Sequence, residues 1–278
     1  MRHVAFPDGR TVPALGQGTW HMGEGDRPLE EEARALRHGL DRGLRLIDTA
    51  EMYGDGAAER VVGAAIAGRR DKAFIVSKVY PHNATRGGVA AACERSLKRL
   101  GTDQLDLYLL HWRGSVPLAD TVDGFERLRA AGKILAWGVS NLDTDEMEAL
   151  TELPAGARCA TDQVLYNPEV RAIEFDLLPW CAARSMPVMA YSPVGQGGRL
   201  LRNKALVTIA AKHGATPAQV SLAWCLRHPW IIAIPKAATI AHVDENAAAA
   251  DLLLDAADLA LIDRAFAPPH RKQPLGML

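Results

Sequence analysis

Asp48, Tyr53, Lys78 and His111 are the residues whose types and spacing could do chemistry. Asp48, Lys78 and His111 each close a short apolar run (LRLI, AFIVS and LDLYLL), and Tyr53 lies just beyond Asp48. A tyrosine with its ordinary pKa of about 10 is a poor acid at neutral pH. A neighbouring ammonium would stabilise the phenolate and lower that pKa, while Asp48 would hold Lys78 charged and in place. His111 could donate a hydrogen bond to a carbonyl oxygen or share the proton with Tyr53. The four together would make an acid aimed at an oxygen that becomes negative as hydride reaches its carbon, which is the requirement of carbonyl reduction. Singly, each has an ordinary reading: an ion-pair aspartate, a snorkelling lysine, a satisfied buried histidine, a packing tyrosine. Their joint placement is what favours chemistry.

Convergence requires a frame. The segment HVAFPDGRTVPAL reads as two short strands about the Asp8-Gly9 turn. After it, apolar β-branched runs recur at 44–48, 73–77, 105–110, 135–140, 160–166, 187–192 and 230–235, with ALGQGT (14–19) as a weaker eighth. Helix-period segments separate them. Ala33, Leu36 and Leu40 share a face in 30–42, and so do Val89, Ala92, Leu97 and Leu100 in 89–100, where Gly101 stops the helix. Thr216-Pro217-Ala218-Gln219 is a capping box with proline at the first helical position. Eight strand–loop–helix units in 278 residues point to an α/β fold, a closed (β/α)8 TIM barrel with a short N-terminal β-hairpin, as one domain over 1–278. A doubly wound open sheet would want a G-x-G-x-x-G turn after its first strand, and none is present. In a barrel the sites form at the C-terminal ends of the strands. Asp48, Lys78, His111, Ser140-Asn141 and Lys236 all end apolar runs, more polar ends than packing requires.

Composition removes other classes. Lys+Arg of 32 against Asp+Glu of 33 gives no basic excess, so neither nucleic acid nor an anionic membrane is expected as a partner. Cys93, Cys159, Cys181 and Cys225 stand apart without a C-x-x-C, so reduced thiols are expected, with no disulfide framework or metal site. The first residues carry no apolar leader and no run approaches a membrane span, so a cytoplasmic protein is expected. It should be a monomer or weak homo-oligomer acting on a small-molecule carbonyl.

The stretch GLRLIDTAEMYGDG (43–56) resembles the signature of the aldo-keto reductases around their catalytic Asp and Tyr. The resemblance continues in family order through VSKVY (76–80), LDLYLLHW (105–112), GVSN (138–141), DQVLYN (162–167), AYSPVG (190–195) and IPKAATIAHVDEN (234–246). It implies a (β/α)8 barrel that reduces aldehydes and ketones with NADPH, NADH being a weaker alternative, and a catalytic tetrad of Asp48, Tyr53, Lys78 and His111. In finer detail (WGVSNLD, LLPWC) the chain looks like bacterial members that reduce methylglyoxal and related 2-oxoaldehydes.

Without a Rossmann turn, a pyrophosphate must be held by barrel loops, favoured after strands seven and eight. The interval from 188 to 231 is the longest in the chain, and SPVGQGGRL at its start offers backbone N–H groups, glycines and Arg199. The resemblance implies Tyr191 stacked on the nicotinamide, Ser140, Asn141 and Gln163 at its carboxamide, Lys236 near the adenosine 2′-phosphate, and Glu245 and Asn246 at the adenine. It also implies Gly18, Thr19, Trp20, Ser192, Val194, Gly195, Thr239 and His242 along the cofactor. The family pattern has Ser or Thr after I-P-K and an Arg five residues further; this chain has Ala237 and His242. One hydroxyl donor is missing and a fixed guanidinium is replaced by a titratable imidazole, so the preference for NADPH over NADH should be reduced and pH-dependent. Trp20, Tyr80 and Trp112, just past strands one, three and four, are expected to wall the mouth. The short polar tail APPHRKQPLGML implies an open pocket with few specificity contacts.

Two rivals remain in view. A Schiff-base aldolase could use Lys78 or Lys236, but it needs a desolvated neutral lysine and Asp48 argues for a charged Lys78. A nicotinamide-binding redox sensor or accessory subunit on the same fold could dispense with the tetrad, which this chain retains.

Overall fold

The computed structural model describes all 278 residues. Ten strands form: β1 (His3–Ala5), β2 (Thr11–Pro13), β3 (Gln17–Gly18), β4 (Leu46–Asp48), β5 (Phe74–Val79), β6 (Leu105–Leu110), β7 (Ile134–Ser140), β8 (Asp162–Leu165), β9 (Val188–Tyr191) and β10 (Ile231–Ala233). The helices are α1 (Leu29–Asp41), α2 (Ala57–Ile66), α3 (Gly88–Leu100), α4 (Leu118–Ala130), α5 (Thr144–Glu152), α6 (Leu177–Ala182), α7 (Lys204–His213), α8 (Pro217–Leu226), α9 (Ile240–Ala248) and α10 (Ala256–Ala265). Strands β3 to β10 pair in parallel and in chain order. The ring closes between its ends, where Gly16 N–H donates to Ala233 O at 2.8 Å and Gly18 N–H to Pro235 O at 3.0 Å. The expected (β/α)8 barrel is the fold found, and β1 and β2 form the expected antiparallel hairpin.

The two-residue period of the strands sorts their side chains. Leu46, Val76, Leu107, Leu109, Met189, Ile232 and Ile234 fill the barrel interior, joined from the hairpin by Val4, Phe6 and Val12. Their neighbours Ile47, Ile75, Tyr108, Leu110, Ala190 and Ala233 face the helices in the larger apolar layer. Two residues beyond the last interior apolar position come Asp48, Lys78, His111, Tyr191 and Lys236. The same alternation that packs the core therefore delivers these polar side chains to the mouth.

The helix readings hold in detail. Leu36 and Leu40 are buried on α1, Val89, Ala92, Leu97 and Leu100 on α3, and Gly101 adopts φ 63° at the end of α3. Thr216 and Gln219 bond reciprocally at the start of α8. The long interval between β9 and β10 carries two helices, α7 and α8, in place of one. The first barrel strand shrinks to Gln17–Gly18 because it is the closing strand. A Cβ on Gly18 would lie 2.7 Å from the Ile234 carbonyl oxygen, which is backbone and cannot give way.

Gly18→Ala should therefore destabilise the barrel by about 1–3 kcal/mol, as overpacking against backbone does. Urea unfolding measures it, and an unchanged midpoint would contradict this account of closure.

Candidate active site

Asp48 ends β4, Lys78 lies near the end of β5, and His111 follows β6 directly. Lys78 is wholly buried and Asp48 is 2% exposed. Lys78 Nζ donates to Asp48 Oδ2 at 2.7 Å, to Thr49 O at 3.0 Å and to the Tyr53 hydroxyl at 3.1 Å. An ammonium has three donors, and each has a partner here. Asp48 Oδ1 accepts from Gln163 Nε2 at 2.7 Å, which ties β4 to β8 across the barrel. Burial pushes the Lys78 pKa down, but Asp48 and Tyr53 more than offset it and hold it above the ordinary value. A charged Lys78 disfavours the Schiff-base reading.

Tyr53 departs from the expectation of a lowered pKa. Burial pushes its hydroxyl up; Lys78 pulls it down and Asp48 pushes it up again. The ammonium and its carboxylate partner together carry no net charge, so their combined field does not overcome desolvation of a phenolate. Tyr53 is thus held protonated, with the Lys78 ammonium in hydrogen-bond contact with its oxygen. His111 also resolves one way. Burial, then Lys78, drives its pKa well below that of a free imidazole, so the ring is neutral. Its Nδ1 is buried without a partner, and the ring meets Tyr53 edge-on at 5.6 Å between centroids. A neutral ring keeps one N–H donor and one acceptor nitrogen, which leaves both expected roles open to it.

Two cavities meet at Tyr53. The larger, about 590 Å³, is lined by Gly18, Thr19, Trp20, Tyr191, Ser192, Val194, Lys236, His242, Glu245 and Asn246 among others. The smaller, about 90 Å³, is lined by Trp20, Trp112, Ser140, Asn141, Gln163, Tyr191, His111 and Tyr53. Tyr191 donates to Asn141 Oδ1 at 2.9 Å, and burial pushes its own pKa up to about 12. Ser140 Oγ donates to Gln163 O at 2.7 Å. Thr19 donates to Asp48 O at 2.9 Å. Glu245 is engaged by the Thr216 hydroxyl at 2.5 Å. Several residues at this mouth sit at positive φ without being glycine: His21 at 64°, Asn141 at 61°, Ser192 at 46° and Gln196 at 56°. Such strain tends to gather where a ligand is clamped.

Four expected contacts fall outside both cavities. Arg199 is 82% exposed and pairs with Glu169. Gly195 turns at φ 58° behind Gln196 and Gly197, which line the cavity in its place. Thr239 caps α9, accepting from His242 N–H at 3.3 Å. Tyr80 packs edge-on against Trp112 at 5.5 Å instead of facing the opening. Residues the sequence did not flag include His21, Leu201, Ala218, Met52, Met277 and Leu278. The last two correct the expectation of an open mouth: the tail returns across the barrel and walls the smaller cavity. The signal was the apolar pair ending an otherwise polar tail.

The larger cavity has the size of a dinucleotide site, roughly 300–1,000 Å³ being usual for bound cofactors and ligands. Lys236 and the N-terminal turn of α9 give one part of its lining a positive character suited to phosphate, with the His242 side chain beside them. The residues present thus fit NADP(H).

A family model described as the aldo/keto reductase family matches residues 14–267. The chain is 53% identical to methylglyoxal reductase YeaE of Escherichia coli, covering 100% of this chain and 99% of that protein. It is 35% identical to glyoxal reductase of Bacillus subtilis, over 94% of this chain and 91% of that one. A crystal structure of an aldo/keto reductase from Klebsiella pneumoniae in complex with NADP and acetate matches with TM-score 0.97 and 53% identity over 99% of both chains. A second from the same organism, in complex with NADPH, matches with TM-score 0.97 and 53% identity over 100% of this chain and 99% of that one. With barrel, cavity and sequence in agreement over the whole chain, this protein belongs to the aldo/keto reductase family and is an NADP-dependent oxidoreductase.

Proposed function

We propose that the protein reduces small aldehydes and ketones, methylglyoxal and other 2-oxoaldehydes among them, to alcohols, with Tyr53 as the proton donor. The observation that carries this is the contact of a fully buried Lys78 with both Asp48 and the Tyr53 hydroxyl, at the junction of the two cavities. The likeness to methylglyoxal and glyoxal reductases supports the choice of substrate.

Bound NADPH supplies the hydride to the carbonyl carbon. Lys236, His242 and the start of α9 would hold the adenosine phosphate, with Gln196 and Gly197 at the pyrophosphate. Glu245 and Asn246 would take the adenine. Tyr191 would lie on the nicotinamide, its carboxamide held by Ser140, Asn141 and Gln163. The substrate oxygen sits between Tyr53 and the neutral His111, which orient the carbonyl by hydrogen bonding. As the oxygen becomes negative, Tyr53 gives up its proton, and the phenolate left behind is stabilised by Lys78. Solvent then restores the proton. Trp20 and Trp112 exclude water from one side of the smaller cavity. The four cysteines are free and buried, which suits a reducing compartment such as the cytoplasm, with the chain acting as a monomer or weak homo-oligomer.

Oxidation of NADPH with methylglyoxal tests this reading, and the pH profile tests its protonation states. A His111 depressed well below 6.5 remains neutral as pH falls to 6, and a raised Tyr53 remains protonated as pH rises to 9. At saturating NADPH, kcat should therefore be flat within about twofold from pH 6 to 9 and decline only in stronger alkali. A tenfold change inside that window would contradict the assignment. A separate prediction concerns Ala237 and His242. His242→Arg should raise the NADPH/NADH ratio of kcat/KM about five- to tenfold, because a guanidinium can hold a phosphate bidentately where an imidazole cannot. A ratio unchanged by the substitution would contradict that account.

A further inference from the structure

Residues 267–278 contain no helix or strand, and none of them is buried. The segment nevertheless returns to the mouth, where Met277 and Leu278 line the smaller cavity beside Tyr53, His111 and Trp112. Apolar burial holds it only in part, since Met277 is 52% and Leu278 65% exposed. Leu275 packs against the main apolar layer, and Gly276 lies against Val170 and Leu165. All the segment's side-chain hydrogen bonds come from Lys272. Its Nζ reaches Asp143 Oδ1 at 2.5 Å, Asp176 Oδ2 at 2.5 Å and Thr144 Oγ1 at 3.3 Å.

The two carboxylates are fixed points. Asp143 accepts from Thr144 N–H at 2.7 Å at the start of α5, and Asp176 from Leu177 N–H at 2.8 Å at the start of α6. These helices follow β7 and β8, whose ends carry Ser140, Asn141 and Gln163. One ammonium therefore bridges two elements that are rigidly joined to the site. A single exposed ion pair contributes little, but an ammonium shared by two preplaced carboxylates loses less side-chain freedom for each hydrogen bond it makes.

We propose that Lys272 is a specificity-determining clasp. By bridging Asp143 and Asp176 it seats Met277 and Leu278 as one wall of the carbonyl pocket, so that the enzyme's preference for small carbonyls depends on an ion pair that salt can loosen. The proposal rests on the carbonyl-reductase reading. It makes Lys272 a positioning residue, remote from the reacting atoms, that acts through the two side chains it seats. The three groups of the clasp are each between 28% and 37% exposed, so mobile ions reach them.

The test uses the full chain, with Lys272→Met and the conservative Lys272→Arg. NADPH oxidation is followed with methylglyoxal and with 2-naphthaldehyde, at saturating NADPH and in low and high sodium chloride. Lys272→Met should raise KM for methylglyoxal about fivefold with kcat nearly unchanged, and shift the kcat/KM ratio toward the bulky aldehyde by about as much. Lys272→Arg should restore the native ratio. High salt should move the native enzyme in the same direction and leave Lys272→Met unaffected. A ratio in Lys272→Met within about twofold of the native one overturns the clasp. Backbone order parameters of 275–278 from NMR relaxation give a readout independent of turnover: they should fall in Lys272→Met, and unchanged values also overturn the proposal. If the native enzyme turned over neither aldehyde while the order parameters fell as expected, the reductase reading would fail; Lys272 would still tether the tail, but not as a determinant of carbonyl preference.

Discussion

The contact between Asp48 and Lys78 is the constraint on which the site depends. A lysine with no exposed surface is costly unless it is paired and all its donors are used. Asp48 takes one donor, the Thr49 carbonyl a second, and the Tyr53 hydroxyl the third. The loop after β4 is thereby drawn onto the end of β5, and Tyr53 is held where two cavities meet. Gln163 engages the free oxygen of Asp48, so the far side of the barrel enters the same network. Removing one partner would leave a buried charge or donor unsatisfied. Stability and reactivity are coupled at this point.

That coupling also says where the acidity resides. The ion pair is neutral as a unit, and burial keeps Tyr53 protonated. In the proposed reaction the ammonium would contribute chiefly when negative charge appears on the phenol oxygen, a state that would occur only during turnover. This is differential stabilisation of the transition state, and a permanently acidic tyrosine would not supply it as well. The neutral His111 complements it by offering a hydrogen bond without placing a second positive charge beside Lys78.

Much of this was legible in the sequence, for a physical reason. Interior positions of barrel strands repeat every second residue, so a polar residue two beyond Leu46, Val76 or Leu109 must emerge at the mouth. Asp48, Lys78 and His111 could be assigned on that ground. What failed to read was set by contacts between distant segments or by competing charges. The direction of the Tyr53 pKa is a balance between burial and an ion pair. Arg199 pairs with Glu169, thirty positions earlier, and lines neither cavity. The tail looked open because its composition is polar, whereas its path is set by Lys272 meeting aspartates 129 and 96 positions away.

The central claim is that Tyr53 donates the proton while its neighbours hold cofactor and carbonyl. Tyr53→Phe keeps the ring and removes only the hydroxyl, so steady-state reduction of methylglyoxal by this variant, with NADPH affinity measured alongside by fluorescence titration, tests it most directly. The account predicts a loss in kcat of at least about a hundredfold, with the NADPH Kd changed by no more than about twofold. A variant whose kcat stays within about tenfold of the native enzyme would contradict it.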